Sequence, residues 1–368
     1  MTMIHAYLSR ISGPVIIFAS AVHGLLFLAF LASLILLDPQ AARAAEEPPR
    51  CEGRDLYAEL QKTDPEAAAE AERTFAATPN NKGLFWRIEK EGAAPSHLFG
   101  TIHTTDPRTL TLPKPVGAAL DEADVFVMET ADARSKLSAS LAMARHPSLF
   151  VYTDGKSAFD ELDEEQAKAL RAALAKRDID PSTATKLKPW LIVGMLAAPP
   201  CELKRKAAGL EFLDNTLADR AEEDGKDIEG LESMVDQMRA LADMPMESHL
   251  DSLANAAEMD DYAADMVETL TIRYLNEDTG LVMPALEAIG ENIQGPLSAE
   301  QQAAAAAFEK NVLTGRNHTM ADAAEPLLAD GNAFIAIGAL HLPGREGVVA
   351  LLRDAGWTVT RVPLDTTN

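Results

Sequence analysis

Apolar positions along this chain follow two different periods. Short continuous or alternating runs occur at "LFWRI" (Leu84 to Ile88), "HLFGTI" (His97 to Ile102), "VFVM" (Val125 to Met128) and "AFIAIG" (Ala333 to Gly338), which predicts strands. The first two runs flank a Gly/Ala/Pro/Ser turn and read as a hairpin. From Ser135 to Ile337 helical spacing dominates: Leu210, Leu213, Leu217 and Ala221 share one helix face, and Gly225 ends that helix. Similar stretches run from Asp251 to Asn276 and from Ser298 to Leu328, and Pro113 to Ala123 predicts a short helix. "KDIEGLES", from Lys226, predicts a short strand leading into another helix. Ala333 to Val362 reads strand, loop, helix, Gly356 stop and strand, a βαβ unit. The expected class is α/β: a central, mostly parallel or mixed sheet from the two ends of one domain spanning 84–368, with a helical insertion over about residues 135–330. Residues 45–83 form a polar, partly helical extension expected to pack outside the core.

The N-terminus breaks both patterns. After Arg10, Pro14 to Leu37 carries no charge, and as a helix it would span about 36 Å, enough for a membrane anchor. Ala42-Arg43-Ala44 has the small-x-small pattern of a signal-peptidase site. Residues 1–44 are thus a cleaved signal or a retained anchor. Both leave Arg10 on the cytoplasmic side and export the rest, to the periplasm or to the periplasmic face of the inner membrane. Export makes the two cysteines informative, because an even count in an oxidising compartment usually pairs, and Cys51 with Cys201 is the expected disulfide.

A chain of 368 residues that is 47% hydrophobic can bury a large core, so size does not restrict the fold. A net charge of -24 argues against a nucleic-acid surface, which needs clustered Lys and Arg. The acidity is spread along the chain and reads as solvated helix faces. Contact with a membrane is expected only through the N-terminal segment, and oligomeric state is not legible.

Three apolar runs end in polar residues: His103 after "HLFGTI", Glu129 after "VFVM" and His341 after "AFIAIGAL". In an α/β sheet, residues just past the strands converge on one crevice, so two imidazoles and a carboxylate can meet without sequence proximity. Such a set can bind a divalent metal with positions left for water and substrate. Gly100 and Gly338 stand three residues before the two histidines, where a missing Cβ allows a sharp turn off the strand or the approach of a ligand. One Gly-x-x-His says little, since a lone strand-end histidine is commonly structural. Two such motifs at opposite ends of a domain say more. His146, His249 and His318 lack this framing and read as structural or exposed.

The pair "FGTIH" and "AIGALHLPGREGVVALLRDAGWTVTRV", with "VFVMET" between them, resembles the TraB/GumN family, to which Tiki metalloproteases and the pheromone-shutdown protein are related. "GLEFLDNTLADRAEEDGKDIEGLESMVDQ" and "TGRNHTMAD" are also similar to that family, and "PPCE" around Cys201 resembles an exported bacterial branch. The resemblance runs from about Leu84 to Val362. It implies a fold like that of erythromycin-esterase-like and haem-binding relatives, and a metal-dependent peptidase acting on a peptide or protein. His103, Glu129 and His341 would be its catalytic and metal-binding groups, with manganese or cobalt as the metal type. Glu129 would be ligand or general base. Arg316 and Asn317 match the Arg-Asn segment, where the guanidinium would bind a substrate carboxylate or steady an oxyanion. Glu232 matches an acidic residue followed in the family by Thr, here Ser233. An ion pair or helix cap is the structural alternative for Arg316, Asn317 and Glu232. Two rival functions remain: a non-catalytic protein that sequesters a peptide signal or a haem-type cofactor, and a metal-independent, esterase-like hydrolase.

Overall fold

The computed structural model describes residues 51–296 and 299–364, so the apolar N-terminal run and Ala42-Arg43-Ala44 lie outside the described residues. Six strands form one sheet: β1 (Phe85–Glu89), β2 (Ser96–Thr101), β3 (Val125–Met128), β4 (Asp227–Gly230), β5 (Ala333–Gly338) and β6 (Thr358–Arg361). Their order is β4-β3-β5-β2-β1-β6. The β4/β3, β3/β5 and β5/β2 pairs are parallel, whereas β1 runs antiparallel to both β2 and β6. A mixed sheet from both chain ends is therefore present, and β1/β2 is the predicted hairpin. The terminal βαβ unit departs from expectation in one respect. β6 runs in the direction of β5 but lies at the sheet edge, bonded antiparallel to β1. Burial explains the choice. β5 is buried from Ala333 to Ile337 and needs a strand on each side, while β6 alternates exposed and buried positions as an edge strand can.

Alternation along the strands separates two cores. Phe99, Phe126, Met128, Phe334 and Ala336 pack on one face with helices Leu213–Glu223, Ala263–Leu275 and Val282–Gln294. Leu98, Val127, Ile335 and Ile337 pack on the other with helices Gly315–Asp330 and Val348–Asp354. A third core is helical and contains Leu170, Trp190, Met238, Leu253, Phe308 and Val312. The insertion thus both covers the sheet and builds a separate lobe.

The N-terminal extension does not stay outside the core. Helices Leu56–Thr63 and Pro65–Ala77 contribute Leu56, Tyr57, Leu60, Ala68 and Ala71 to the first core. Their polar composition conceals a narrow buried stripe, which only the partner helix surface reveals. Arg54 anchors the segment, its backbone N–H donating to Asp265 at 2.8 Å and its guanidinium to the same carboxylate at 2.6 Å. Cys51 and Cys201 form the expected disulfide. Among the described residues, no helix is long and apolar enough to cross a membrane.

Candidate active site

Because β4, β3, β5 and β2 are adjacent and parallel, their carboxyl ends share one edge of the sheet. Glu232 follows β4, Glu129 follows β3, His341 follows β5 and His103 follows β2. The Glu232 N–H donates to the Glu129 carbonyl at 2.9 Å, which carries the β3/β4 pairing one step into the site.

Glu129 is buried, with 6% of its surface exposed. Its Oε1 accepts the Gly338 N–H at 2.7 Å, and its Oε2 accepts Arg316 Nη2 at 2.6 Å and Gln237 Nε2 at 3.1 Å. Arg316 also donates through Nε to Glu232 Oε1 at 2.9 Å, and Gln237 bridges to the same carboxylate at 2.9 Å. Burial alone would raise the Glu129 carboxyl, but Arg316, then His341 and His103, outweigh it and bring it down to about 2. Glu232 moves the other way: burial raises it more than Arg316 lowers it. Burial opposes the Arg316 charge too, yet the two carboxylates hold the guanidinium above its ordinary value. One guanidinium bridges two buried carboxylates, with Glu129 the firmly ionised member of the cluster.

Asn317 fixes the neighbouring ring. Its Nδ2 donates to the Glu346 carbonyl at 2.8 Å, which sets the amide orientation, so its Oδ1 accepts from His341 Nδ1 at 2.6 Å. The proton then belongs on Nδ1. His341 Nε2 is left facing Glu129 Oε1 at 3.8 Å and Arg316 Nη1 at 3.4 Å.

His103 has different surroundings. Its ring stacks on Phe212 with centroids 5.7 Å apart, and its Nε2 lies 3.4 Å from Asp214 Oδ2. The loop that carries it is held by Glu202, which accepts Thr104 Oγ1 at 2.8 Å, the Thr105 N–H at 3.0 Å and Thr105 Oγ1 at 2.5 Å. Glu202 follows Cys201, so the disulfide anchors the helix that positions this loop.

The two glycines make room instead of turning the chain. Both lie in the β2/β5 ladder, Gly100 opposite Ile337 and Gly338 opposite Thr101. A Cβ on Gly100 would stand 2.7 Å from Leu342 Cδ1 and 3.1 Å from Ala339 Cα, so the first motif leaves space for the second. A Cβ on Gly338 would stand 3.1 Å from Glu129 Oε1 and crowd the carboxylate.

A cavity of about 690 Å³ opens at this edge. His103, Glu129, Arg316 and His341 line its polar side, and Leu270, Val282, Val312, Leu313 and Leu340 its apolar side. Val312 and Leu313 come from a π-helical stretch, Glu309–Thr314, inside the predicted Ser298 to Leu328 helix. Such widened turns often mark functional sites, and this one ends just before Arg316. A smaller cavity of about 360 Å³ lies beside it, and His103 and Glu129 line both.

The candidate metal ligands fit a cation in part. His341 Nε2 and Glu129 Oε1 are two oriented donors of suitable chemistry. The third, His103, directs its Nε2 to Asp214. Among the described residues, no group of three or more His, Cys, Asp or Glu side chains is placed to hold a metal ion.

All eight site residues predicted outside the disulfide lie at this edge, with Gly100 one step behind in the packing. Reading the sequence missed Gln237, Asp214 and Asn215, the last of which lines the smaller cavity beside Asp214. A signal existed for Asp214, which follows Leu213 at the start of a helix whose apolar face the spacing predicts. The three histidines read as structural or exposed are so placed. His249 is buried with Nε2 3.0 Å from the Leu241 carbonyl, His318 is exposed, and His146 caps a helix end.

Parallel strand ends carrying two histidines and a buried carboxylate–guanidinium cluster define an α/β protein with a polar crevice beneath a helical lobe. The TraB/PrgY/gumN family model matches residues 84–361, and the chain belongs to that family. No curated protein and no solved structure matches it.

Proposed function

We propose that the crevice is the active site of a hydrolase acting on peptide bonds, with a divalent cation of the manganese or cobalt kind as cofactor. His341 Nε2 and Glu129 would hold the cation, with His103 as the further ligand. When bound, it would supply Lewis-acid polarisation and a water of lowered pKa. The observation that carries this reading is the oriented pair of His341 Nε2 and Glu129 Oε1, 3.8 Å apart at the base of the larger cavity.

The chain's own residues divide the remaining tasks. Asn317 holds the His341 ring with Nε2 toward the crevice. Arg316, then His341 and His103, with the Gly338 N–H, keep Glu129 ionised, which suits a ligand or fixed anion better than a general base near neutral pH. Arg316 is held by Glu129 and Glu232, with its Nη1 directed at His341, so its charge would steady a developing oxyanion beside that ring. The apolar wall excludes water and accepts an apolar segment of the substrate. The Cys51–Cys201 disulfide supports an oxidising compartment outside the cytoplasmic membrane, periplasmic or anchored there.

A broad peptide library incubated with purified protein, with and without chelator and added metal, tests the assignment. Metal-dependent cleavage lost in His103→Ala and His341→Ala is the expected result, and full activity in either variant would sink it. The contact between His103 and Asp214 favours one alternative, a metal-independent hydrolase in which that pair handles protons. Cleavage that survives exhaustive chelation would select it. Peptide or haem binding without turnover would select a sequestering protein instead.

A further inference from the structure

We propose that the smaller cavity is a subsite for a primary ammonium group, and that in the peptidase reading, on which this substrate assignment rests, it takes the free amino terminus of the substrate. Two buried acceptors in its wall lack hydrogen-bond donors. Asp214 is 8% exposed, and its Oδ1 accepts Thr101 Oγ1 at 2.6 Å, while its Oδ2, with His103 Nε2 3.4 Å away, accepts no hydrogen bond. Asn215 Nδ2 donates to Glu211 Oε2 at 3.0 Å, which fixes the amide orientation and leaves Oδ1 buried without a donor. Both residues line the cavity with His103, Glu129 and Thr130.

Unpaired buried acceptors cost free energy, so adjacent ones facing a cavity call for a donor group. A primary ammonium offers three donors and a positive charge, and here it would meet Asp214 Oδ2, Asn215 Oδ1 and the field of Glu129. A carbonyl supplies no donor and a hydroxyl only one. Arg316 is held by Glu129 and Glu232, and Lys206 lies over the Phe212 ring, where burial pushes its ammonium down to about 7 against the pull of Glu211 and Glu202.

Position turns the subsite into a specificity element. His103 and Glu129 line both cavities, so a ligand anchored by its amine on the Asp214 side extends past them into the apolar cavity. That geometry fits a peptide with a free amino terminus and an apolar residue close behind it.

The test uses L-leucinamide, which carries an ammonium, an aliphatic side chain and no carboxylate, against N-acetyl-L-leucinamide, in which the charge is removed. An α-amino group with a pKa of about 8 is mostly cationic at pH 7. Titration calorimetry with the purified protein should show at least tenfold tighter binding of leucinamide, with shifts in the His103 and Asn215 side-chain NMR signals. Asp214→Asn keeps the shape and the acceptor for Thr101, and should lower leucinamide affinity to the level of the acetylated control. Asn215→Leu, at a half-buried position, should weaken it several-fold and carries the test if Asp214→Asn fails to fold. Equal affinity for the two probes, no binding of either, or unchanged leucinamide binding in the variants overturns the subsite. Turnover separates the two readings: amine binding without cleavage keeps the subsite and rejects the peptidase. Equal cleavage of free and acetylated peptides does the reverse.

Discussion

The two Gly-x-x-His motifs have the same spacing and follow adjacent parallel strands, yet they end in opposite physical situations. His341 is buried at 5% exposure, with its ring held by Asn317 and its neighbours locked into the cluster of Glu129, Arg316 and Glu232. His103 is more open, stands on a loop, stacks on Phe212 and faces an aspartate oxygen that accepts no hydrogen bond. One motif is part of the fold's packing, and the other is exposed to what enters the crevice. The difference teaches that the motif fixes the strand-end position, while neighbouring helices decide how firmly each ring is held.

Removing the ion that supports the His341 side should break the contrast most severely. Arg316→Ala leaves Glu129 and Glu232 buried together without their cation, and a loss of about 3–5 kcal/mol is expected in denaturant unfolding. Asp214→Asn, on the His103 side, should cost less than about 1 kcal/mol by the same measurement. Comparable losses would show that the two halves are equally structural.

A third histidine calibrates what burial does without an ionic partner. Burial pushes the His249 imidazole down to about 4, against the partial support of its hydrogen bond to Leu241. The unfolded chain takes up that proton near pH 6.5 and the folded chain does not until about pH 4. Stability should therefore be complete above pH 6.5 and fall by roughly 2–3 kcal/mol between 6.5 and 4. His249→Leu should flatten this limb of the unfolding profile, and an unchanged slope would assign it to other groups.

The glycines sharpen the comparison at smaller cost. Gly100→Ala drives a methyl toward Leu342 and the Ala339 backbone, with an expected loss of about 1–3 kcal/mol. Gly338→Ala presses on the Glu129 carboxylate, so its larger effect should fall on activity. A crystal structure of each variant would show whether the second motif or Glu129 has moved. The histidines themselves should differ least in outcome and most in reason. His341→Ala should cost about 1–2 kcal/mol by stranding Asn317 Oδ1, whereas His103→Ala should cost under about 1 kcal/mol in thermal unfolding. Both should abolish the proposed cleavage.

Much of this site is legible in the order of residues along the chain. "VFVM" and "AFIAIG" are apolar on both faces, as central parallel strands must be, so the residues after them have to emerge at a sheet edge. The burial of Leu56 and Tyr57 is not legible, because two polar helices show their apolar stripe only against the helices they cover. Gln237, Asp214 and Asn215 escape for a related reason. Each belongs to a helix whose rotation about its axis is set by packing, and a helical pattern does not say which polar residue will meet a strand end.

The sequence by itself determined the strands, the order of His103, Glu129 and His341, the pairing of Cys51 with Cys201, and a net negative chain. These follow from local periodicity, composition and cysteine count, which act over a few residues or over the whole chain. Tertiary structure alone decided that Arg316 joins two carboxylates, that Gly100 makes room for the partner motif, and that Asp214 and Asn215 face a cavity with oxygens lacking donors. Those outcomes depend on Å-scale distances between segments far apart in the chain, which hydrophobic patterning does not encode.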